Sequence, residues 1–559
     1  MDIKSLLVKN IRIDGVSEQE LYALLKKSDG VNADYALPCF KFAKVLGLPP
    51  QKIAERLAEE TSKDGIVSRA VAVNGYLNLF LDRIRVEKEV LSAVIDGQLF
   101  DDKVGEGKTV CIDYSSINIA KPFHIGHLGT TAIGSALYKT YKALGYHVVG
   151  INHLGDWGTQ FGKLIVAYKL WGDKEKIDKG GVRALQEIYV RFHQEEENNP
   201  DLTRQAREWF AKIEKGDETA MQLFEYFKAI TLNEVKGVYK RLHVEFDSWN
   251  GESFYNDKMQ PILDLLDEKG LTEISDGAKI VNLEKYNMPP CLLVKADGAT
   301  LYATRDLAAA KYRHDTYNFD KCLYVVAYQQ NLHFKQFFKV LELAGFDWAD
   351  KLEHVAYGMV SLADGSMSTR KGNAVWLSDV MDKAVAKAGE IIAAKNPDLV
   401  DKAEVAEQVG VGAVIFSALA NSRIKDIVFD YDRVLNFDGE TAPYLQYTHA
   451  RCCSIVSKAG ALDFDKCDFS ELEGEESWEA VKLLNEFGDI LLAVTEKNEP
   501  SLLSNYLLDL AKAFNRFYLV NRVIDEGKVC QARLAVVNGI KSVLQKGLEL
   551  LGIAAPEKM

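Results

Sequence analysis

The sequence predicts an α/β protein in three parts: a small N-terminal α/β segment, a parallel-sheet domain carrying a helical insertion, and an all-α C-terminal bundle. Three observations predict it. Between about 109 and 385, short apolar runs alternate with helical patterns, which implies parallel strands joined by crossover helices. Beyond about 386 the strand signal disappears and apolar residues recur at helical spacing. A charged, Gly-containing stretch, 101–108, separates the first part from the second and reads as a linker.

Each part follows from its local pattern. In the first, residues around 18–27 and 50–63 read as helices and 70–81 as strand-like. In the second, the candidate strands are 110–114, 147–152, 322–328 and 354–359. Residues 130–144 read as a helix, with the small Ala132 and Ala136 one turn apart. An insertion is expected at about 170–290, whose early part shows the charged amphipathic patterns 182–196 and 206–227. In the third part, Val409, Ala413, Phe416 and Ala420 follow one helical stripe, and Leu507, Leu510, Phe514 and Phe517 another.

Bulk properties narrow the function. A chain of 559 residues predicts two to four domains. Its 47% hydrophobic and 27% charged content is that of a globular protein, and no apolar run approaches the ~20 residues a membrane span needs. The start, Met1-Asp2-Ile3-Lys4-Ser5, lacks a secretory pattern, so a cytoplasmic location is expected. The 8 cysteines show no Cys-x-x-Cys spacing; no metal site or structural zinc is expected, and most read as small buried hydrophobes. A net charge of -13 excludes a broad basic coat, so any nucleic acid must be held by local patches.

The chemistry concentrates in Asp113-Tyr114-Ser115-Ser116-Ile117-Asn118-Ile119-Ala120-Lys121-Pro122-Phe123-His124-Ile125-Gly126-His127-Leu128-Gly129. A strand, a loop ending in His-x-Gly-His and then a helix make a nucleotide phosphate site. The helix start offers unpaired N–H groups and a positive dipole end. Gly126 lets a nucleotide approach the backbone, and two imidazoles can donate hydrogen bonds as charge moves onto phosphate oxygens. Two unremarkable histidines at a helix start are the plainer alternative, weakened by Lys121, Asn118 and Ser116 in the same loop. Gly107-Lys108-Thr109 is no P-loop: the first glycine is missing and the triplet precedes its strand. A second cationic, hydroxyl-rich stretch runs from Gly358 to Asn373, where Gly365 and Gly372 bracket Ser368, Thr369, Arg370 and Lys371. It suits a pyrophosphate leaving group. Alone it could be a surface hairpin with a chance basic pair.

The pair of motifs resembles the class I aminoacyl-tRNA synthetases, which carry a Lys-Met-Ser-Lys-Ser loop at this place. Met367 and Ser368 match, but the lysine positions hold Ser366 and Thr369. Met-Ser-Thr-Arg-Lys-Gly resembles the arginyl-tRNA synthetase variant, of bacterial type. In that family a lysine just upstream of His-x-Gly-His takes over the phosphate role, and Lys121 stands there. The segments 152–162, 301–308, 328–334 and 442–451 are similar to the family's, as are 34–40 and 74–78 near the N-terminus.

The resemblance implies three domains: 1–108, an additional tRNA-binding domain; 109–385, a Rossmann-type catalytic domain; and 386–559, a helical anticodon-binding domain. It implies Lys121, His124 and His127 as catalytic groups. His124, Gly126, His127, Gly129, Met367, Ser368, Arg370 and Lys371 would bind ATP. Ser116, Asn118, His127, Tyr302, Asp306 and Gln330 would bind arginine, with Glu252 a weaker acidic candidate. Asn74, Asn78, Tyr447 and Arg451 would meet tRNA. The substrates implied are L-arginine, ATP with Mg²⁺, and tRNA(Arg), acted on by a monomer with no membrane partner. Physical chemistry agrees: a guanidinium needs a carboxylate and flat acceptors. Tyr302 and Asp306, four apart on a predicted helix, share a face. A surface ion pair of Asp306 with Arg305 or Lys311 is the competing assignment. Tyr444, Tyr447, His449 and Arg451 place aromatic and cationic groups on one helix, as single-stranded bases require. Core packing of both tyrosines is the alternative. A different small-molecule nucleotidylyltransferase and a non-catalytic RNA-binding relative remain the other functional readings.

Overall fold

A computed structural model describes residues 2–28, 33–61, 65–362 and 375–559. The chain divides into two compact units. One comprises Met1–Phe100, Cys452–Asp489 and Asp509–Val543; the other comprises Asp101–Arg451, Ile490–Leu508 and Leu544–Met559.

The larger unit is built on a four-stranded, all-parallel sheet in the order Leu352–His354, Lys321–Tyr324, Thr109–Asp113, His147–Ile151. Cys111 lies between Cys322 and Val149, and Asp113 between Tyr324 and Ile151. The strands are apolar because both faces are covered. Cys111, Val149, Ile151, Cys322 and Tyr324 join Leu307, Phe337 and Leu341 in one buried cluster. The helix Leu128–Ala143 carries the chain from Thr109–Asp113 to its neighbour His147–Ile151. The strand on the other side, Lys321–Tyr324, comes much later in the chain. The winding therefore reverses at Thr109–Asp113. Ligands of such sheets bind where the loops diverge, beyond the carboxyl ends of the two strands. Here those loops begin at Tyr114 and Val325.

Several elements differ from the sequence expectation. The ladder of 322–328 stops at Tyr324. The expected strand 354–359 is Leu352–His354, and Val360–Leu362 pairs instead with Ile427–Phe429. The pattern 206–227 spans two helices, Asp201–Glu214 and Glu218–Arg241. Gly216, at φ 72°, turns the chain between them, and the Asp217 side chain caps the second by accepting from the Ala220 N–H. Past these helices the insertion also holds a three-stranded antiparallel sheet, Thr272–Ser275, Ala278–Val281 and Cys291–Val294.

In the smaller unit the N-terminal sheet is antiparallel, ordered Lys26–Lys27, Tyr35–Pro38, Tyr76–Leu81, Val67–Val73. The strand-like stretch 70–81 is thus a hairpin. Asn74 and Gly75, at φ 52° and 80°, make its turn, and Asn-Gly is the pair a two-residue hairpin turn favours. The helix Arg83–Ile95 buries Val90, Leu91 and Val94. A Cβ on Gly539 would lie 2.9 Å from Leu484 and 3.4 Å from Val94, so this unit's core joins N-terminal and C-terminal sequence.

Helices dominate the C-terminal sequence: Ala442–Ala459, Glu475–Lys497, Ser501–Val520 and Gln531–Leu550. Leu507, Leu510, Phe514 and Phe517 are fully buried. Short strands also occur there, Ile427–Phe429 and the pair Ile524–Asp525 and Lys528–Val529, too brief for a periodic signal. Among the described residues no helix is long and apolar enough to cross a membrane.

Candidate active site

The loop leaving Thr109–Asp113 is held in an unusual backbone course. Ser115 and Ser116 both adopt left-handed φ, 67° and 43°, which non-glycine residues adopt only at a cost of about 1–2 kcal/mol each. A buried polar network fixes them. The Ser115 N–H donates to Thr130 Oγ1 at 2.9 Å, and Ser115 Oγ lies 2.8 Å from Thr131 Oγ1 and 2.7 Å from the Tyr239 hydroxyl. Ser116 Oγ donates to Asp113 at 2.6 Å, and the other Asp113 oxygen accepts from Arg313 at 2.7 Å. Arg313 is 1% exposed, so the pair fixes the strand's end from inside the core. Thr130 Oγ1 in turn donates to the Val325 carbonyl, tying this loop to the other side of the crevice.

Further along, Asn118 is exposed and its backbone bridges to Gly155. A Cβ on Gly155 would sit 2.5 Å from Asn118 Oδ1, so a larger residue there would displace the Asn118 side chain. Ala120, at φ 58°, donates its N–H to Thr231 Oγ1 on the insertion helix Glu218–Arg241. Lys121 follows directly and is half-buried.

The histidine segment forms its own cap. His124 Nδ1 accepts from the Gly126 N–H at 3.1 Å, and His127 Nδ1 lies 3.2 Å from the His124 N–H. The rings are 4.0 Å apart. Burial lowers the His124 imidazolium to about 4. Burial, with the neighbouring His124 and Lys121, lowers His127 to about 3. Both rings are therefore neutral at pH 7. With Nδ1 committed to the Gly126 N–H, the proton of His124 resides on Nε2, whereas His127 Nδ1 lies 3.2 Å from both the N–H and the carbonyl oxygen of His124. His124 is left with an N–H donor for an incoming oxygen.

Gly126 is half-buried at the segment's centre. Gly129 is buried, and a Cβ there would meet the Tyr357 ring at 2.8 Å, so close packing dictates glycine at this position. Met367, Ser368, Arg370 and Lys371 lie outside the described residues. The chain that follows them returns to the histidines. His124 bridges to Trp376, and the Ile125 N–H donates to the Val375 carbonyl at 3.0 Å.

A second wall comes from the helix Tyr302–Tyr317. Tyr302 begins it and is 68% exposed; Asp306 stands one turn later, half-buried. An Asp306 oxygen lies 2.6 Å from His333 Nε2. The cations that could have claimed Asp306 are engaged elsewhere. Lys311 pairs with Asp315, and the Arg305 guanidinium lies 3.6 Å from Glu252 and 3.5 Å from Asn256. Gln330 is exposed in the turn Tyr328–Gln330, just before the helix that bears His333.

Glu252 joins this neighbourhood. Burial raises its carboxyl to about 7, against the opposing pull of Arg305; Asp306 and Asp156 add to the rise and Lys121 opposes it. Asp156 is fully buried. It accepts from Lys228 at 2.7 Å and from the Ser253 N–H and hydroxyl, each at 2.8 Å. His153 Nδ1 is buried without a hydrogen-bond partner, and burial lowers that imidazolium. His333, His153 and Asp156 were not singled out in the sequence. All three lie in segments that resemble the family's, and only their burial and pairing mark them.

The nucleic-acid candidates lie elsewhere on the chain. Asn74 is exposed at the hairpin turn, and Asn78 is half-buried between Ala36 and Val71. Phe40 and Tyr76, both exposed, stack edge-to-face at 5.3 Å beside that hairpin. Sequence reading missed this pair because Phe40 is remote in sequence. On Ala442–Ala459, Tyr447 is 51% exposed, Arg451 is half-buried and Tyr444 is half-buried. His449 is buried instead, with Nδ1 3.0 Å from the Pro556 carbonyl, which removes it from any RNA-facing set.

A parallel sheet whose switch-point loop carries a preorganised His-x-Gly-His cap is the arrangement expected of a class I aminoacyl-tRNA synthetase, and the comparisons with known proteins show that class. The family model for the class I (R) tRNA synthetase catalytic domain matches residues 89–431. The arginyl tRNA synthetase N-terminal domain matches 2–81 and the DALR anticodon binding domain 445–559. The chain is 50% identical to the arginine–tRNA ligase of Clostridioides difficile (strain 630) over 552 residues, 98% of each chain. It is 47% identical to that of Clostridium perfringens (strain 13 / Type A) over 569 residues, 100% of each. Among solved structures it is similar to the Thermus thermophilus arginyl-tRNA synthetase, with TM-score 0.81 and 27% identity over 96% of both chains. The chain belongs to the arginyl-tRNA synthetase family.

Proposed function

We propose that the chain activates L-arginine with ATP and transfers it to tRNA(Arg), releasing pyrophosphate and then AMP. The arginine α-carboxylate attacks the ATP α-phosphorus and the bond to pyrophosphate breaks. The carboxylate is already a nucleophile, so this step needs no general base. The protein's task is in-line positioning and stabilisation of charge on the phosphate oxygens. A terminal ribose hydroxyl of the tRNA then attacks the activated carbonyl, and AMP leaves.

The observation that carries this reading is the pairing of two opposite devices in one unit. Two neutral imidazoles stand side by side, His124 with an Nε2–H donor, and a carboxylate, Asp306, is left unclaimed by Arg305 and Lys311. Such a donor suits a phosphate oxygen gaining charge, and Lys121 adds a full positive charge beside the two rings. Gly126, Gly129, Met367, Ser368, Arg370 and Lys371 complete the ATP side of the assignment. Asp306 accepts the guanidinium, Tyr302 stacks on it and Gln330 adds a flat acceptor. Ser116, Asn118 and His127 hold the amino acid's other end. Asn74 and Asn78 contact the tRNA from the N-terminal domain, 1–108, and Tyr447 and Arg451 from the anticodon-binding domain, 386–559. The catalytic domain is 109–385, with its insertion at about 170–290. Mg²⁺ enters on the ATP phosphates as part of that substrate. The enzyme acts in the cytoplasm as a monomer.

Aminoacylation of total tRNA with each amino acid in turn tests the reading. Charging with arginine alone is expected. Charging with another amino acid, or none in the presence of ATP and tRNA, overturns it.

A further inference from the structure

The chain is strongly acidic, yet one large groove in the catalytic unit is basic. It has a volume of about 760 Å³, within the about 300–1,000 Å³ of small-molecule sites. It lies where the ends of three helices meet: Leu128–Ala143, Glu218–Arg241 and Gln531–Leu550. Lys142 is fifteen residues beyond His127 along the first of these, so the groove is about 20 Å from the histidines. Five lysines line it against two glutamates.

The lysines are not equivalent. Lys139 is committed to the His243 carbonyl at 2.7 Å, and Lys546 pairs with Glu549 at 3.1 Å. Lys142, Lys236 and Lys240 are exposed and make no ion pair among the described residues. The first two contact only aromatic faces, Tyr138 at 5.3 Å and Trp249 at 5.4 Å. Lys236 and Lys240 stand one turn apart on one helix, so they share its face. Unpaired cations grouped over an aromatic-lined hollow, in a protein with net charge -13, are placed to receive several negative charges at once.

We infer that this groove is a second nucleotide site, taking the phosphates of a nucleoside polyphosphate on Lys142, Lys236 and Lys240 and its base beside Trp249. The concavity favours a small ligand over an RNA backbone, which needs an extended stripe of cations. The bland role for Lys142 and Lys240 is to offset the negative ends of their helices. That role predicts a change in stability and none in ligand binding.

The test is calorimetric titration of GTP into the full-length protein, compared with Lys142→Ala/Lys236→Ala/Lys240→Ala and with Lys121→Ala. A triple Lys→Gln variant retains more of the side-chain packing and guards against misfolding. The expected result is one GTP site, weakened at least about tenfold in both triple variants and unchanged in Lys121→Ala. Trp249 fluorescence should report the same binding and lose it in Trp249→Phe. Arginine activation by the triple variants should equal wild type. Absence of GTP binding, binding unaltered in the triple variants, or binding lost in Lys121→Ala overturns the inference. So does a triple variant that binds GTP normally but tRNA poorly, because the groove would then be an RNA contact.

Discussion

The histidine segment and the wall that carries Asp306, in the same unit, are built on opposite principles. In the segment, the two histidine rings are held by backbone groups at most three positions away, and two strained serines are pinned by a buried network. The wall is assembled from stretches far apart in sequence, and its aromatic and amide groups, Tyr302 and Gln330, stand exposed. The difference separates two kinds of work. Stabilising charge on a phosphate rewards donors that need no rearrangement when the charge appears. Recognising a long, flexible amino acid allows groups that close around it once it arrives. Substitutions in the two regions should therefore fail differently.

The largest effect is expected at Lys121. Since Ser366 and Thr369 stand at the lysine positions of the general class I loop, Lys121 is the cation proposed to supply charge to the ATP phosphates. Lys121→Ala should lower the activation rate by about 10²–10³, or ~2.7–4 kcal/mol, while arginine affinity changes little. Single-turnover activation and equilibrium arginine binding measure the two separately. A near wild-type rate would move the role to Arg370 or Lys371.

Next comes Asp306. Replacing a charge-assisted bond by a neutral one in Asp306→Asn should raise the arginine KM by about 1.5–3 kcal/mol, on the order of 10- to 150-fold, with a smaller change in kcat. Rejection of citrulline should weaken. His333 sharpens this prediction, because Asp306 pairs with it at 2.6 Å. If Asp306 serves only to hold that ring, His333→Gln should reproduce the whole defect and citrulline discrimination should survive.

The same contrast decides how much of the site was legible. The histidine loop could be read because its geometry is local: a strand, a tight loop and a helix start bring consecutive residues together. The parallel sheet could be read from alternation alone. The hairpin at Asn74-Gly75 was also written in the sequence, in a dipeptide whose backbone preference was passed over. The partners of the wall were not legible in this way. Whether Arg305 turns to Asp306 or to Glu252 depends on segments more than fifty residues apart, and no periodicity encodes that choice. His449 shows the limit from the other side. Its place beside Tyr447 and Arg451 suggested a surface group, but the chain's last residues fold back and bury it.

Glu252 offers a pH test that only the wall should show. Burial raises its carboxyl to about 7, so it gains negative charge as pH rises through that value. The charged form favours a guanidinium. Arginine KM should therefore fall as pH rises from about 6 to 8, by up to about tenfold, with one proton released on binding. Glu252→Gln should flatten the profile. The histidines, already neutral throughout this range, contribute no such slope. An identical profile in Glu252→Gln would remove Glu252 from the arginine site and leave it as the partner of Arg305.

The smallest expected effect on arginine activation lies outside both regions, in the helix Ala442–Ala459. An acidic chain must hold tRNA through few, concentrated contacts, and Tyr447 with Arg451 one turn later is the candidate on this helix. Arg451 is half-buried and Tyr447 exposed, so the arginine stem can pack while its guanidinium reaches a phosphate. Arg451→Ala should then weaken tRNA binding and reduce the slope of log K against log salt by about 0.7–0.9, the contribution of one phosphate contact. Tyr447→Ala should weaken binding by about 1–3 kcal/mol at every salt concentration without altering the slope, because stacking releases no counterions. Arginine activation should be untouched in both. Titration of tRNA at several salt concentrations reads both quantities. A slope unchanged in Arg451→Ala would assign this side chain to packing, and the phosphate contacts would have to lie on another face of the helices.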